Sequence, residues 1–177
     1  MKDLLLLRHA KTREAAPDEA DFDRMLTGRG QRDAGNLANW LVRRGVKPGL
    51  ILCSAAQRTR ETLAPLQEAY GTATPIRIEP RLYLADVGTI LAILRETPSS
   101  TRSVLVIGHN PGLHELAAGL AAMGALNEAV ERLGRKFVTT GLARLHLSIN
   151  DWAKLRVGGE ATVRLVDYLT PADFEPV

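Results

Sequence analysis

Leu4-Leu5-Leu6-Leu7-Arg8-His9 and, a hundred positions later, Val104-Leu105-Val106-Ile107-Gly108-His109 are the two stretches that decide the fold. Each is a short, unbroken apolar run, and such runs read as strands of a parallel sheet covered on both faces. Each ends in a histidine. Two imidazoles are thereby delivered to the carboxyl edge of the sheet, where open α/β folds form their ligand crevice.

The segments around these runs alternate between strand and helix patterns. Ala10 to Leu26 is polar and without sustained period, so it reads as a long loop, a class that in compact domains usually carries function or motion. From Thr27 to Arg44 a helix is expected, with Ala34, Leu37, Ala38, Leu41 and Val42 on its inner face and Gly45 closing it. Leu50 to Cys53 forms a second strand. Ser54 is then expected to cap a helix running to Tyr70, with Thr62, Leu63, Leu66, Ala69 and Tyr70 inward. Ile76 to Glu79 reads as a third strand, Asp86 as the cap of a helix burying Val87, Ile90, Leu91 and Leu94, and Ser103 to Ile107 as the fourth strand. Asn110-Pro111 supplies an N-cap and a first-turn proline for a helix burying Leu113, Leu116, Ala117, Leu120 and Ala121.

A short polar helix follows Asn127. Beyond Leu142 the pattern becomes strict alternation, Leu145, Leu147 and Ile149 against Arg144, His146 and Ser148, and Thr162 to Leu169 alternates likewise. These two make an antiparallel pair at a sheet edge. The expected architecture is a three-layer α/β/α sandwich, its sheet mostly parallel with an antiparallel edge, and without a large inserted cap domain. No repeat, low-complexity tract or linker divides the chain, so residues 1–177 are read as a single domain, a length at which folding buries roughly 70% of the unfolded surface.

Composition narrows the function classes. Only four leucines separate Asp3 from Arg8, too few for a secretory or membrane-spanning segment, so a soluble cytoplasmic protein is expected, with no membrane partner. A single cysteine, Cys53, rules out an internal disulfide, and the absence of a CxxC pair removes the usual zinc readings. Net charge is +3, but basic residues are interspersed with carboxylates and aromatic residues make up only 5%, which argues against nucleic acid as a partner. The basic balance fits anionic substrates.

Three strand ends carry the chemistry: Arg8-His9 after the first, Ser54 with Arg58 one helical turn later after the second, and His109-Asn110 after the fourth. If those strands are neighbours, one pocket holds two guanidinium forks and two imidazoles beside helix amino termini, a set suited to a phosphate dianion. Nearby arginines disfavour imidazolium, leaving His9 a nucleophile for phosphorus, while His109 would stabilise charge on an equatorial oxygen. No metal or other cofactor is called for.

At these residues the chain resembles the histidine phosphatase superfamily, whose RHG signature is approached by Leu7-Arg8-His9-Ala10 and whose other marks are similar to Cys53-Ser54-Ala55-Ala56-Gln57-Arg58-Thr59-Arg60-Glu61-Thr62 and Ile107-Gly108-His109-Asn110. With Arg24-Met25-Leu26-Thr27-Gly28-Arg29-Gly30 and Asn39-Trp40-Leu41, it most resembles the short, SixA-type branch of phosphohistidine phosphatases; the likeness spans about Leu4 to Leu120, with an echo at Tyr168-Leu169-Thr170-Pro171. The resemblance implies a phosphoglycerate mutase-like fold, phosphorylation of His9 in turnover, a phosphoryl grip by Arg8 and Arg58, completion of the pocket by His109, and a further substrate-binding arginine in Arg24. It also implies a phosphorylated protein, such as a histidine phosphotransfer domain, or a small phosphorylated molecule as partner. Many superfamily members have a glutamate general acid after the third strand, where this chain has Leu82-Tyr83-Leu84 and no carboxylate.

That gap bears on the substrate. An alkoxide, with a conjugate acid near pKa 15.7, needs a proton donor to depart, whereas imidazole with a pKa near 6.5 takes its proton from solvent. Phosphohistidine, or another substrate with a good leaving group, is therefore expected. The competing readings are a phosphoglycerate mutase-like or broad phosphomonoesterase activity and, outside the enzymes, a noncatalytic phosphoprotein-binding module, which would have no need for His9. Cys53 lies five positions before Arg58, one short of the C-x5-R loop of cysteine phosphatases, and reads as a core residue. His114, His146 and Arg60 read as surface residues, Trp40 and Trp152 as packing residues, and Asp21, Asp23 and Asp86 as weaker candidates for a proton donor.

Overall fold

The computed structural model describes residues 1–174. Six strands form one sheet: β1 (Lys2–Arg8), β2 (Leu50–Cys53), β3 (Ile76–Ile78), β4 (Ser103–Gly108), β5 (Leu142–Leu147) and β6 (Val163–Leu169), in the order β3-β2-β4-β1-β5-β6. The first four strands of that order run parallel, while β5 and β6 are antiparallel to their neighbours, as the alternating pattern predicts. Five helices accompany the sheet: α1 (Gly28–Arg43), α2 (Gln57–Tyr70), α3 (Val87–Arg95), α4 (Gly112–Ala121) and α5 (Glu128–Arg135).

Side-chain alternation along β1 explains the three layers. Leu4 and Leu6 join Val104 and Val106 in a core filled by Ile90 and Leu94 of α3 and Leu113, Leu116 and Leu120 of α4. Leu5 and Leu7 turn the opposite way, to Ile51, Cys53, Leu105, Leu37 and Leu41 of α1, and Leu63 and Leu66 of α2. Both faces are therefore apolar, which is why the sequence is an unbroken run rather than an alternating one.

Caps set the helix limits. Thr27 accepts from Gly30 N, Asp86 from Thr89 N and Asn127 from Val130 N, as expected for N-caps. Gly45, with φ +64, ends α1 in the left-handed region. Two expected caps are corrected. Helix α2 begins after Ala56, and the Ser54 hydroxyl turns to His109 instead; α4 begins after Pro111, and the Asn110 amide donates to Phe137 O. The Ser54 hydroxyl satisfies a buried imidazole nitrogen, a stronger demand than that of the helix end. Val42 and Ala69, expected to face inward, are exposed: Val42 is turned about 100° from the last buried residue of α1, Leu41, and the buried stripe of α2 ends a turn before Ala69, at Leu66.

The Ala10 to Leu26 loop is more ordered than its composition suggests. Thr12 bridges Leu26, Thr27 N donates to Lys11 O at 2.8 Å, Leu26 N donates to Glu61 at 2.7 Å, and Asp21–Asp23 forms a single 3₁₀ turn. Trp40 packs edge-on against Phe174, and buried Trp152 donates to Thr101 O, so both are packing residues. His114 and His146 are not free surface groups: the first bonds Leu133 O, and the second pairs with Asp3. No helix among the described residues is long and apolar enough to cross a membrane.

Candidate active site

Strands β1 and β4 are immediate neighbours, in register from Leu4 opposite Val104 to Arg8 opposite Gly108. The chain leaving β1 leads to α1 on one face of the sheet, and the chain leaving β4 leads to α4 on the other. Divergence of this kind opens a crevice between two adjacent carboxyl ends. His9 and His109 occupy it side by side, their ring centroids 5.3 Å apart and their planes inclined by 52°.

Strand β2, the other neighbour of β4, brings Ser54 and the first turn of α2 to the same edge. Arg58 projects from that turn with only 3% of its side chain exposed. A cavity of about 530 Å³ is lined by Arg8, His9, Arg24, Arg58 and His109, so all five residues singled out in the sequence meet there. Lys11, Thr12, Asp21, Leu84, Asn110 and Thr139 complete most of its wall.

Hydrogen bonds fix the imidazoles. His9 Nδ1 lies 2.8 Å from Ala10 O, an atom that only accepts, so Nδ1 carries the proton and the lone pair resides on Nε2. His109 Nε2 is 2.8 Å from Ser54 Oγ, while its buried Nδ1 has no hydrogen-bond partner among the described residues. With the Ser54 hydroxyl donating to Nε2, the orphaned Nδ1 becomes an N–H donor directed away from that bond. Arg8 is held by donation from Nη1 to Phe137 O at 2.9 Å, and its buried Nε is likewise unpaired among the described residues.

The electrostatics favour neutral rings. Burial, followed by the positive charges of Arg58, Arg8 and Arg24, lowers His9 to about pKa 4 against the opposing effect of its bond to Ala10 O. Burial again dominates for His109, which Arg58 and His9 also press downward, to about 3. Around physiological pH both imidazoles are therefore uncharged, and the positive field comes from guanidinium groups.

Asp21 and Tyr83 are the site residues that sequence reasoning undervalued. Arg58 donates to Asp21 O at 2.5 Å and to Asp21 Oδ2 at 2.9 Å; Arg24 and the Tyr83 hydroxyl also donate to the Asp21 carboxylate. Although partial burial opposes it, these bonds hold Asp21 at about pKa 2, so it is a charged acceptor rather than a proton donor near neutrality. Tyr83 stands edge-on to His109 at 5.6 Å and beneath the Arg58 guanidinium at 5.7 Å. The only advance signal was its place in Leu82-Tyr83-Leu84, where related enzymes have a carboxylate.

Cys53 is fully buried in the core and its thiol is pushed up to about 12 by burial, which removes it from the site chemistry. Asp86 caps α3, and Arg60 is exposed. Among the described residues no three His, Cys, Asp or Glu side chains gather to hold a metal ion.

Comparison with known proteins finds relatives in both sequence and fold. The family model for the histidine phosphatase superfamily (branch 1) matches residues 4–91. A Mycobacterium tuberculosis H37Rv protein described as uncharacterized is 38% identical over 159 residues, covering 89% of this chain and 96% of its own. Phosphohistidine phosphatase SixA of Escherichia coli K12 is 32% identical over 120 residues, covering 66% of this chain and 73% of its own. Among solved structures, one from Agrobacterium tumefaciens, provisionally described as a SixA phosphohistidine phosphatase, superposes with TM-score 0.77 at 34% identity, covering 96% of this chain and 98% of that one. The tungstate complex of the protein histidine phosphatase SixA superposes with TM-score 0.74 at 25% identity, covering 98% and 99%.

Proposed function

The chain belongs to the histidine phosphatase superfamily, in its SixA-like branch, and we propose that it is a phosphatase whose phosphoryl acceptor is His9 Nε2. One observation carries this reading: the bond from His9 Nδ1 to Ala10 O leaves the other ring nitrogen unprotonated in a cavity walled by three arginines. A phosphate reader would need the arginines alone.

Arg8, Arg58 and Arg24 bind the phosphoryl oxygens, and His109 Nδ1–H donates to an oxygen whose charge grows in the transition state. In the first step His9 Nε2 forms a bond to phosphorus as the bond to the leaving group breaks; the electron pair departs with the leaving group, which takes a proton from solvent. Water then attacks the phosphohistidine, the P–Nε2 bond breaks, and inorganic phosphate leaves. Positioning and charge do the work in both steps.

The leaving group is limited by the same wall. Asp21 is ionised near neutrality and burial raises the Tyr83 hydroxyl, so neither suits protonation of a departing alkoxide. Phosphohistidine on a protein, or a small phosphorylated molecule with an acidic leaving group, fits better than an alkyl phosphate or a mutase substrate. The decisive experiment incubates wild type and His9→Ala with labelled phosphohistidine protein, aryl phosphate and sugar phosphate, then traps the enzyme in base. Label on wild type alone, with phosphohistidine turned over fastest, is the expected outcome; label on His9→Ala, or faster alkyl phosphate hydrolysis, refutes the proposal.

A further inference from the structure

Beside the cavity that holds the histidines lies a second one, of about 690 Å³, that shares Arg8, Lys11 and Thr139 with it. Arg29 and Lys136 add two more cations to its lining, against a single carboxylate among the described residues, Asp33. Arg29, itself well exposed, approaches the largely buried Asp33 carboxylate at 3.7 Å, a long pair, whereas neither Lys11 nor Lys136 has an ion-pair partner among the described residues. These side chains come from three separate pieces of chain: the start of the 10–26 loop, the first turn of α1, and the segment after α5. Like charges gathered from separate segments repel one another unless an anion lies between them.

Three features fix the gathering. Thr27 N and its hydroxyl both donate to Lys11 O, tying the loop start to the amino end of α1. Gly30 permits that approach, since a Cβ there would lie 2.2 Å from Lys11 O. The Tyr168 hydroxyl donates to Lys136 O and accepts from Val138 N, holding the third segment. Arg29 reaches the cavity from the first turn of the sixteen-residue α1 helix.

We propose that this second cavity is an anion subsite, which receives a further phosphate or carboxylate carried by the same substrate whose phosphoryl group enters the first. Arg8 stands between the two, so the preferred substrate is doubly anionic, with one charge on each side of that guanidinium. The inference rests on the proposed function of the first cavity only for the word substrate; the binding of two linked anions stands apart from catalysis. Such a second charge can arrive on a compact small molecule or on acidic residues flanking a phosphohistidine.

Binding and turnover separate these cases. Calorimetry compares alkane bisphosphonates of graded chain length with the matching alkyl monophosphonates, on wild type and on an Arg29→Gln/Lys136→Gln double variant whose changes are confined to exposed positions outside the first cavity. At one chain length the bisphosphonate should bind wild type at least about tenfold more tightly, the scale of one additional charge-assisted contact, and the variant should lose that excess while binding the monophosphonate as before. Phosphohistidine peptides flanked by Asp or by Asn provide the second arm, read as kcat/KM. A preference for the Asp-flanked peptide that the variant abolishes assigns the second charge to an acidic peptide; a preference confined to bisphosphonates assigns it to a compact molecule. No preference in either arm, or one that survives in the variant, overturns the subsite. A bisphosphonate preference with no hydrolysis of any phosphorylated probe would refute the proposed phosphatase reading and leave the subsite standing.

Discussion

Protonation of His9 gives the sharpest test of the site as a physical object. An imidazole with an ordinary pKa of about 6.5 is roughly three-quarters protonated at pH 6, whereas one lowered to about 4 is only about one per cent protonated there. Histidine-selective 15N labelling, with His114→Gln and His146→Gln variants to assign signals, reads the charge of each ring directly. His9 should remain neutral, with the proton on Nδ1, throughout pH 5.5 to 8. An Arg58→Gln variant should recover only part of the depression, because burial is the larger cause.

The same shift has a stability consequence whose sign is fixed by linkage. Between about pH 4 and 6.5 the unfolded chain binds a proton at this position that the folded chain does not, so folding is favoured as pH rises through that window. From His9 alone, stability should fall by about 3 kcal/mol as pH drops from above 6.5 to below 4, at about 1.4 kcal/mol per pKa unit. Urea titrations at stepped pH, wild type against His9→Asn, measure it. A His9 signal that titrates near 6.5 in the folded protein, or a His9→Asn variant as acid-sensitive as wild type, would refute the burial argument.

Other consequences follow from individual contacts. Ser54→Ala leaves His109 Nε2 unpaired, and the lost bond should cost about 1–3 kcal/mol in urea unfolding and lower kcat roughly tenfold by freeing the ring. Asp21→Asn removes a carboxylate that competes for Arg58; because Asp21 is nearly half exposed, screening limits the gain to about 1 kcal/mol, seen as roughly fivefold tighter competitive inhibition by orthovanadate. Gly112→Ala places a Cβ 2.0 Å from Ala85 O, so α4 must shift, with an expected loss of about 1–3 kcal/mol and a lower Tm in calorimetry. Iodoacetamide should leave folded protein unmodified at Cys53 and fully active, since that thiol is buried and held protonated.

The amino-acid order alone determined the layers and the edge. Apolar runs at 4–7 and 104–107 can be satisfied only between two helical layers, while the half-polar alternation after Leu142 belongs to a strand with one wetter face. Because a parallel strand points its carboxyl end toward the crevice, the apolar runs alone place His9 and His109 in it, and the structure has both lining one cavity. Arg8 and Arg58 followed from their spacing to the same strand ends.

Tertiary structure decided everything that depends on which polar atoms meet. The order β2-β4-β1 comes from long-range pairing, and only it turns three separate strand ends into one cavity. Ser54 looks like a helix cap locally, yet a desolvated partner across the crevice, His109 Nε2, claims its hydroxyl, since a buried polar atom left unpaired costs more than an uncapped helix end exposed to water. Asp21 lies 37 positions from Arg58, in a loop without periodicity, and its role is invisible until folding places its carboxylate against that guanidinium. Periodicity encodes which face of an element is buried; it carries no information about distance between polar groups on different elements, and that distance is what makes the site.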